Sequence, residues 1–383
     1  MKKIMQRPLK VIITGGGTGG HIFPAIAIAN AIKKGEPSAE ILFIGALGKM
    51  EMEKIPKAGY PIQGLPIAGL QRRWTWKNLL LPFKLIDSLN KARTIINNFS
   101  PQAVIGVGGY ASAPVVFVAT VLGIPSLIQE QNSYAGITNK LLGKRVQKIC
   151  VAFEGMEQFF PMDKIVFTGN PVREDILHLE GNREKAYQFF GLNKERETIL
   201  VIGGSLGART INETVRSGLS EIMSTGLQLI WQTGKGYYNV NAEAALQYPG
   251  QVKVYEFIDR MDLAYAVADV VISRAGAISI AELSVAKKAC VLVPSPNVAE
   301  DHQTKNAIAL QKNEAAIMVK DSEAKTRLVN AALQLIKDKT LRERLQNNIN
   351  RFARPHADED IAREVFKMVN INKEINAETI NDQ

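Results

Sequence analysis

Cysteine is nearly missing from this chain: two residues, Cys150 and Cys290, among 383. Two thiols build neither a disulfide framework nor a cysteine-based zinc site, and their scarcity points to a reducing compartment. Long apolar runs are missing too. The longest, Ala113 to Ile124, is about a dozen residues and contains Pro114 and Gly123, whereas a membrane span needs about 20. No secretory signal is expected, because the basic stretch Met1 to Lys10 is followed only by Val11-Ile12-Ile13 before glycines begin. A protein in solution, or one resting on a membrane without crossing it, is what remains.

The rest is globular in character. A hydrophobic content of 46% and a charged content of 22% exclude wholesale disorder and a fibrous fold. The length suggests two domains at roughly 150 residues each. Lys and Arg number 47 against 37 Asp and Glu, a formal charge of +10. Such an excess asks for an anionic partner: nucleic acid, anionic lipid or a phosphorylated substrate.

Short β runs alternate with helically spaced apolar segments. Val11-Ile12-Ile13 enters a glycine loop and then the helical pattern Ile22 to Lys34; Ile41 to Ile44, Ala103 to Val107 and Ser126 to Ile128 are further strands. This rhythm predicts a parallel sheet covered by helices on both faces. After the charged segment Gly181 to Glu197 the pattern restarts. Thr198 to Ile202 enters a second glycine loop, and Leu227 to Trp231, Val252 to Tyr255, Val270 to Ile272 and Ala289 to Val293 follow. The expected fold is α/β, with two doubly wound Rossmann-like domains facing a central cleft. They span residues 1–170 and 171–354, with the boundary near Asn170-Pro171. A helix at 355–369 is open to packing on either domain, back onto the N-terminal one included, and 370–383 is expected to be a mobile tail.

Gly15-Gly16-Gly17-Thr18-Gly19-Gly20-His21 lies between a strand and a helix, where backbone N–H groups approach an anion closely. These glycines also satisfy the dinucleotide pattern G-x-G-x-x-G, which expects an acid at the end of the second strand. That strand ends in Gly45-Ala46, and Glu51 and Glu53 come too late, which disfavours NAD. A tight turn without a ligand is the plainer alternative, but six such residues exceed what a turn needs. His21 sits where the helix dipole disfavours the imidazolium; it is a candidate general base, or simply completes the loop's hydrogen bonds. The second loop, Gly203 to Ala208, adds the Ser205 hydroxyl and also suits phosphates. In the run Arg274 to Glu282, Gly276 marks a third strand-to-helix turn. Glu282 is placed there to accept from both hydroxyls of a ribose, or only to balance the helix dipole. Asp301 to Ala307 suits sugar recognition or ordinary capping.

Further blocks are Gly108-Gly109-Tyr110, Glu130-Gln131-Asn132, Gly169-Asn170-Pro171-Val172-Arg173 and Glu256-Phe257-Ile258-Asp259. Taken together, and in this order over about residues 9 to 369, the chain resembles the bacterial N-acetylglucosaminyltransferases that convert lipid I into lipid II in peptidoglycan synthesis. The resemblance implies the two-domain GT-B architecture, with the acceptor and membrane side in the first domain and UDP-N-acetylglucosamine held mainly by the second. It implies a uracil contact at Ile258 and a ribose contact at Glu282. Diphosphate contacts fall at Ser205 and at the helix start Ala277, Ile278, Ser279, Ile280 and Ala281, and Gln303 reads the sugar. Thr18, Gly19, Gly20, Asn132 and Arg173 complete the donor site, the first glycine loop takes the acceptor diphosphate, and the base is His21 or Glu130.

The implied reaction is a direct, inverting displacement at the anomeric carbon without a cofactor. Many glycosyltransferases hold a metal with Asp-x-Asp, and the only such string here is Asp358-Glu359-Asp360. Just after Pro355 it reads as acids at a helix start, so metal-independent transfer is expected, with N–H groups and helix dipoles facing the leaving diphosphate. The stretch Leu70 to Lys84 mixes Arg72, Arg73, Lys77 and Lys84 with Trp74, Trp76 and Leu79 to Phe83. It is expected to dock on the anionic cytoplasmic face of the cell membrane as a peripheral contact, unless the aliphatic residues are core. No nucleic-acid module accompanies it. The rival readings are a same-fold glycosyltransferase with another acceptor and a non-catalytic nucleotide-sugar-binding protein.

Overall fold

The structure is a computed structural model that describes residues 8–67, 81–204, 206–298 and 301–381, without side chains at 81–83 and 370–381. Two compact units divide the chain: Met1–Pro171 together with His356–Gln383, and Val172–Pro355. The stretch expected to meet a membrane therefore lies outside the described residues as far as residue 80.

The first unit runs β1 Lys10–Thr14, α1 Gly19–Gly35, β2 Glu40–Ala46, α2 Glu51–Lys57, β3 Ile62–Leu65, α3 Leu81–Phe99 and β4 Ala103–Gly106. It continues through α4 Ser112–Val121, β5 Ser126–Glu130, α5 Ile137–Gly143, β6 Lys148–Val151 and β7 Ile165–Phe167. All pairings are parallel, in the order β3-β2-β1-β4-β5-β6-β7. Strands covered on both faces read as unbroken apolar runs. Val11 and Ile13 pack with Ile22, Ile28 and Ile32 of α1, while Ile12 packs on the other face with Ile95, Ile96 and Val115.

The second unit runs α6 Arg183–Phe190, β8 Thr198–Ile202, α7 Arg209–Ser217, α8 Leu219–Ser224, β9 Gln228–Gln232, α9 Tyr238–Ala245 and β10 Val252–Tyr255. Then come α10 Met261–Val267, β11 Val270–Ser273, α11 Ala277–Val285, β12 Cys290–Leu292, α12 His302–Lys312, β13 Ile317–Met318, α13 Ala324–Lys337 and α14 Lys339–Asn350. Its parallel sheet has the order β10-β9-β8-β11-β12-β13. Trp231 is fully buried among Ile199, Val201, Ile211 and Val215. Both sheets are thus Rossmann-like.

The last helix, α15 Ala357–Asn381, starts two residues beyond Pro355 and continues past Val369, where the sequence places its end. Ile361, Val365, Met368 and Val369 join Ile28 and Ile32 in the core of the first unit. Each sheet has one place where the strand order doubles back: between β1 and β4, and between β8 and β11. Ligands of such sheets bind outside the carboxyl ends of the strands at that point. Thr14 lies beside Gly106 there, and Ile202 beside Ser273. Every glycine motif singled out in the sequence, apart from Gly169, follows one of these four strands.

Candidate active site

β1 ends at Thr14 and α1 begins at Gly19, with Thr18 at the N-cap in extended backbone. The Thr18 carbonyl accepts from the amides of His21 and Ile22 at 3.1 and 3.2 Å. A helix's first N–H groups have no partner within the helix, so the end opened by Gly19 and Gly20 favours an anion. The loop after β4 closes on this one. A Cβ on Gly109, whose φ is +84°, would collide with the Gly16 carbonyl oxygen, so only glycine permits the approach.

His21 stands at this meeting point. Its Nδ1 lies 3.0 Å from the Gly16 carbonyl oxygen and 3.3 Å from Thr18 Oγ1. A carbonyl only accepts, so Nδ1 carries the proton and the basic lone pair falls on Nε2. Nε2 borders Gly108, where an added Cβ would come within 2.9 Å of it.

Glu130 ends β5 and is 2% exposed. Its Oε1 accepts from the amide and Nδ2 of Asn132 at 3.1 and 3.3 Å, and its Oε2 from the Gly136 amide at 3.0 Å and Asn139 Nδ2 at 2.9 Å. Four donors match the lone pairs of one carboxylate. Burial pushes the Glu130 carboxyl above the usual range, against the pull of those donors. In this arrangement Glu130 holds the 132–139 loop and, with it, Asn132. A chain of buried amides extends the support. Gln131 Nε2 donates to the Val107 carbonyl at 2.8 Å and to Gln129 Oε1, while Gln129 Nε2 donates to Asn170 Oδ1 at 2.8 Å.

In the second unit Ser205 lies outside the described residues. Its loop is tied to Ile258 by Gln232. Nε2 of Gln232 donates to the Gly204 carbonyl at 3.4 Å, and its Oε1 accepts from the Ile258 amide at 2.9 Å. Ile258 itself is buried. β11 runs into Gly276, the N-cap of α11, and Ala277, Ile278, Ser279, Ile280 and Ala281 form the first turns. Glu282 follows, accepting from the Tyr265 hydroxyl at 3.1 Å through Oε2 and lying 3.6 Å from Arg173 Nε through Oε1. Arg173 Nε is also 3.6 Å from Asp175, yet neither Nε nor Nη2 makes a hydrogen bond among the described residues. Burial raises the Glu282 carboxyl above the usual range, and the Arg173 guanidinium partly offsets this. Gln303, in the first turn of α12, accepts from the Ser295 amide at 2.8 Å. Arg274 is committed to the Val293 and Pro294 carbonyls and to Asp321, tying β11 to its neighbours.

Glu51, Gln232 and Tyr265 are participants that the motifs do not announce. For Gln232 a signal exists: a polar residue ends a buried strand in register with Ile202. The acids Asp358, Glu359 and Asp360 open α15, where Glu359 pairs with Lys34 at 2.7 Å and Asp360 with Arg363 at 2.7 Å. On α4 and α5, Val121, Ile137 and Leu141 are 64, 66 and 72% exposed. Phe117, Leu141, Leu142, Lys144 and Arg145 line a cavity of about 440 Å³, with the Arg145 guanidinium 5.0 Å from the Phe117 ring centre. No described helix is long and apolar enough to cross a membrane.

Two Rossmann-like domains, each with a glycine loop at the turning point of its sheet, define the class of fold: the two-domain GT-B architecture. Residues 11–151 match the glycosyltransferase family 28 N-terminal domain and residues 198–361 the family's C-terminal domain. The chain belongs to glycosyltransferase family 28. The UDP-N-acetylglucosamine--N-acetylmuramyl-(pentapeptide) pyrophosphoryl-undecaprenol N-acetylglucosamine transferase of Cytophaga hutchinsonii is 54% identical over 369 residues, 96% of this chain and 99% of that one. The enzyme of the same name from Bacteroides fragilis is 55% identical over 364 residues, covering 94% and 96%. Among solved structures, Acinetobacter baumannii MurG superposes with a TM-score of 0.77 at 29% identity, covering 94% of this chain and 100% of that one. The kitacinnamycin glycotransferase, at 15% identity, a TM-score of 0.69 and coverage of 95% and 100%, shares the fold.

Proposed function

We propose that this chain transfers N-acetylglucosamine from UDP-N-acetylglucosamine to the C4 hydroxyl of the muramoyl sugar in lipid I, giving lipid II for peptidoglycan synthesis. Near-full-length identity to relatives named for that transfer supports the substrates. The structural observation that carries the chemistry is His21, with Nδ1 on the Gly16 carbonyl and its lone pair on Nε2. Nε2 takes the hydroxyl proton as the oxygen bonds to the anomeric carbon, whose bond to the diphosphate breaks on the opposite face, and UDP leaves with the electron pair. The α1 start at Thr18, Gly19 and Gly20 meets diphosphate, and the first turns of α11 stabilise the leaving group without a metal. Glu282 accepts from the ribose, Arg173 supplies its unused donors, and Gln303 reads the sugar; Asn132, Ser205 and Ile258 complete the donor contacts.

The protein works at the cytoplasmic face of the membrane. The exposed apolar residues of α4 and α5, with Lys144 and Arg145 beside Leu141, support peripheral docking on anionic lipid together with the Leu70 to Lys84 stretch. Transfer of label from UDP-N-acetylglucosamine to a lipid I analogue, with chelator present, tests the whole reading. Labelled lipid II is expected. Success only with a different acceptor overturns the acceptor assignment, and donor binding without turnover overturns the enzyme. His21→Ala is expected to lower turnover by about 10²–10⁴-fold with donor affinity little changed; unaltered turnover removes His21 from the chemistry.

A further inference from the structure

The first glycine loop rests on a charge that the reaction above does not use. Glu51, the first residue of α2, is 1% exposed. Its Oε1 accepts from the Ala46 amide at 3.0 Å and its Oε2 from the Gly17 amide at 2.9 Å. A Cβ on Gly16 would collide with its carboxylate, and one on Gly45 would come within 2.5 Å of its Cγ. The two glycines thus leave the space that this side chain fills.

The Gly17 amide belongs to the same peptide unit as the Gly16 carbonyl, and that unit is planar and trans, so the two groups point in opposite directions. One end is held by Glu51; the other lies 3.0 Å from His21 Nδ1. Hydrogen bonds in a chain polarise one another, so a carboxylate drawing on the N–H makes the carbonyl a stronger acceptor. The competing arrangement is also at hand. Thr18 Oγ1 is 3.3 Å from the same Nδ1. If the carbonyl turns away, this hydroxyl donates to Nδ1, the ring proton moves to Nε2, and the basic lone pair shifts to Nδ1, away from the acceptor-facing nitrogen.

We propose that Glu51 is a positioning residue for His21, acting through the Gly16–Gly17 peptide to keep the imidazole protonated on Nδ1 and basic on Nε2. The proposal rests on His21 being the base. Glutamine has the same shape but one acceptor oxygen, so Glu51→Gln sets an NH₂ against one of the two backbone N–H groups.

Three measurements on the full-length enzyme decide it. Glu51→Gln is expected to lower kcat by about 10–100-fold while KM for UDP-N-acetylglucosamine stays within about 3-fold. In a His21→Ala background the same change is expected to alter turnover by less than about 2-fold, since its route is already cut. Nitrogen-15 NMR of histidine-labelled protein is expected to show His21, assigned among the four histidines by its loss in His21→Ala, moving from the Nδ1–H toward the Nε2–H form. Equal losses in both backgrounds, or an unchanged tautomer in Glu51→Gln, overturn the proposal. If Glu51→Gln does not fold, Glu51→Asp, one methylene short of the Gly17 amide, is read in the same way. An Nε2–H ring in the unaltered enzyme refutes the proposal outright. Full turnover of His21→Ala instead removes the base assignment, and the NMR result alone then decides whether Glu51 sets the ring.

Discussion

Glu282 has one phenol hydrogen bond, one guanidinium at 3.6 Å and a buried setting that disfavours its charge. A ribose diol offers the hydrogen bonds that this carboxylate lacks. Such bonds to a charged acceptor are worth about 1.5–3 kcal/mol, so Glu282→Ala should weaken UDP-N-acetylglucosamine binding by roughly 10–150-fold with a smaller effect on kcat. The pH dependence has a definite sign. Because the Glu282 carboxyl is raised, it protonates before ordinary carboxylates as pH falls, and donor affinity should drop above the usual carboxylate range. Calorimetric titration across mildly acid pH checks this, and a flat affinity, or one untouched by Glu282→Ala, refutes the ribose role. His21 was legible as a residue at a helix start, because glycine spacing and strand position fix that point. Its orientation was not legible: it depends on a backbone carbonyl and on Glu51, 34 positions from Gly17, which the sequence presents only as an acid too late for a ribose. Glu130 likewise reads as an ionisable group in a motif; its burial and four donors depend on the return of the 132–139 loop.

Among the elements, the strands that carry motifs announced themselves, since β1, β4, β8 and β11 are apolar runs buried on both faces and lead into glycine. β3, β7 and β13 did not. They have two to four residues, are partly exposed and lie at the sheet edges, so neither length nor alternation marks them. β6 is buried but has only four residues, Lys148–Val151. The exposed side of α4 and α5 escaped the sequence reading for a different reason. Ala113 to Ile124 is an apolar run too short to span a membrane, with no charged positions to mark an outer face, and only the packed structure shows Val121 turned outward. Substituting Val121 and Leu141 with Ser, and Lys144 and Arg145 with Glu, should reduce binding to anionic liposomes. Removing each basic residue costs about 1 kcal/mol, and reversing its charge costs more. Turnover on a water-soluble acceptor should hold. Flotation that is unaffected by all four changes would move the membrane face elsewhere.

For the molecule as a whole, the decisive element is α15, which brings His356–Gln383 back to the first unit after the second is complete. Ile361, Val365, Met368 and Val369 are each buried there to within 6% exposure. At about 1.5–3 kcal/mol for each large apolar side chain, their loss amounts to ~6–12 kcal/mol. A typical domain has a total stability of only about 5–15 kcal/mol. A chain ending at Pro355 should therefore lose the cooperative melting of its first unit and expose apolar surface to dye, while Val365→Ser should lower its melting temperature. Native-like melting of the truncated chain would show that α15 is dispensable. The same return sets an order of maturation. During synthesis the second unit has all its residues in hand once Pro355 has emerged, but the first must wait for the residues up to Val369. The unit that carries His21 therefore begins before the second unit and is completed after it, so a chain released at Pro355 still lacks part of the first unit's core.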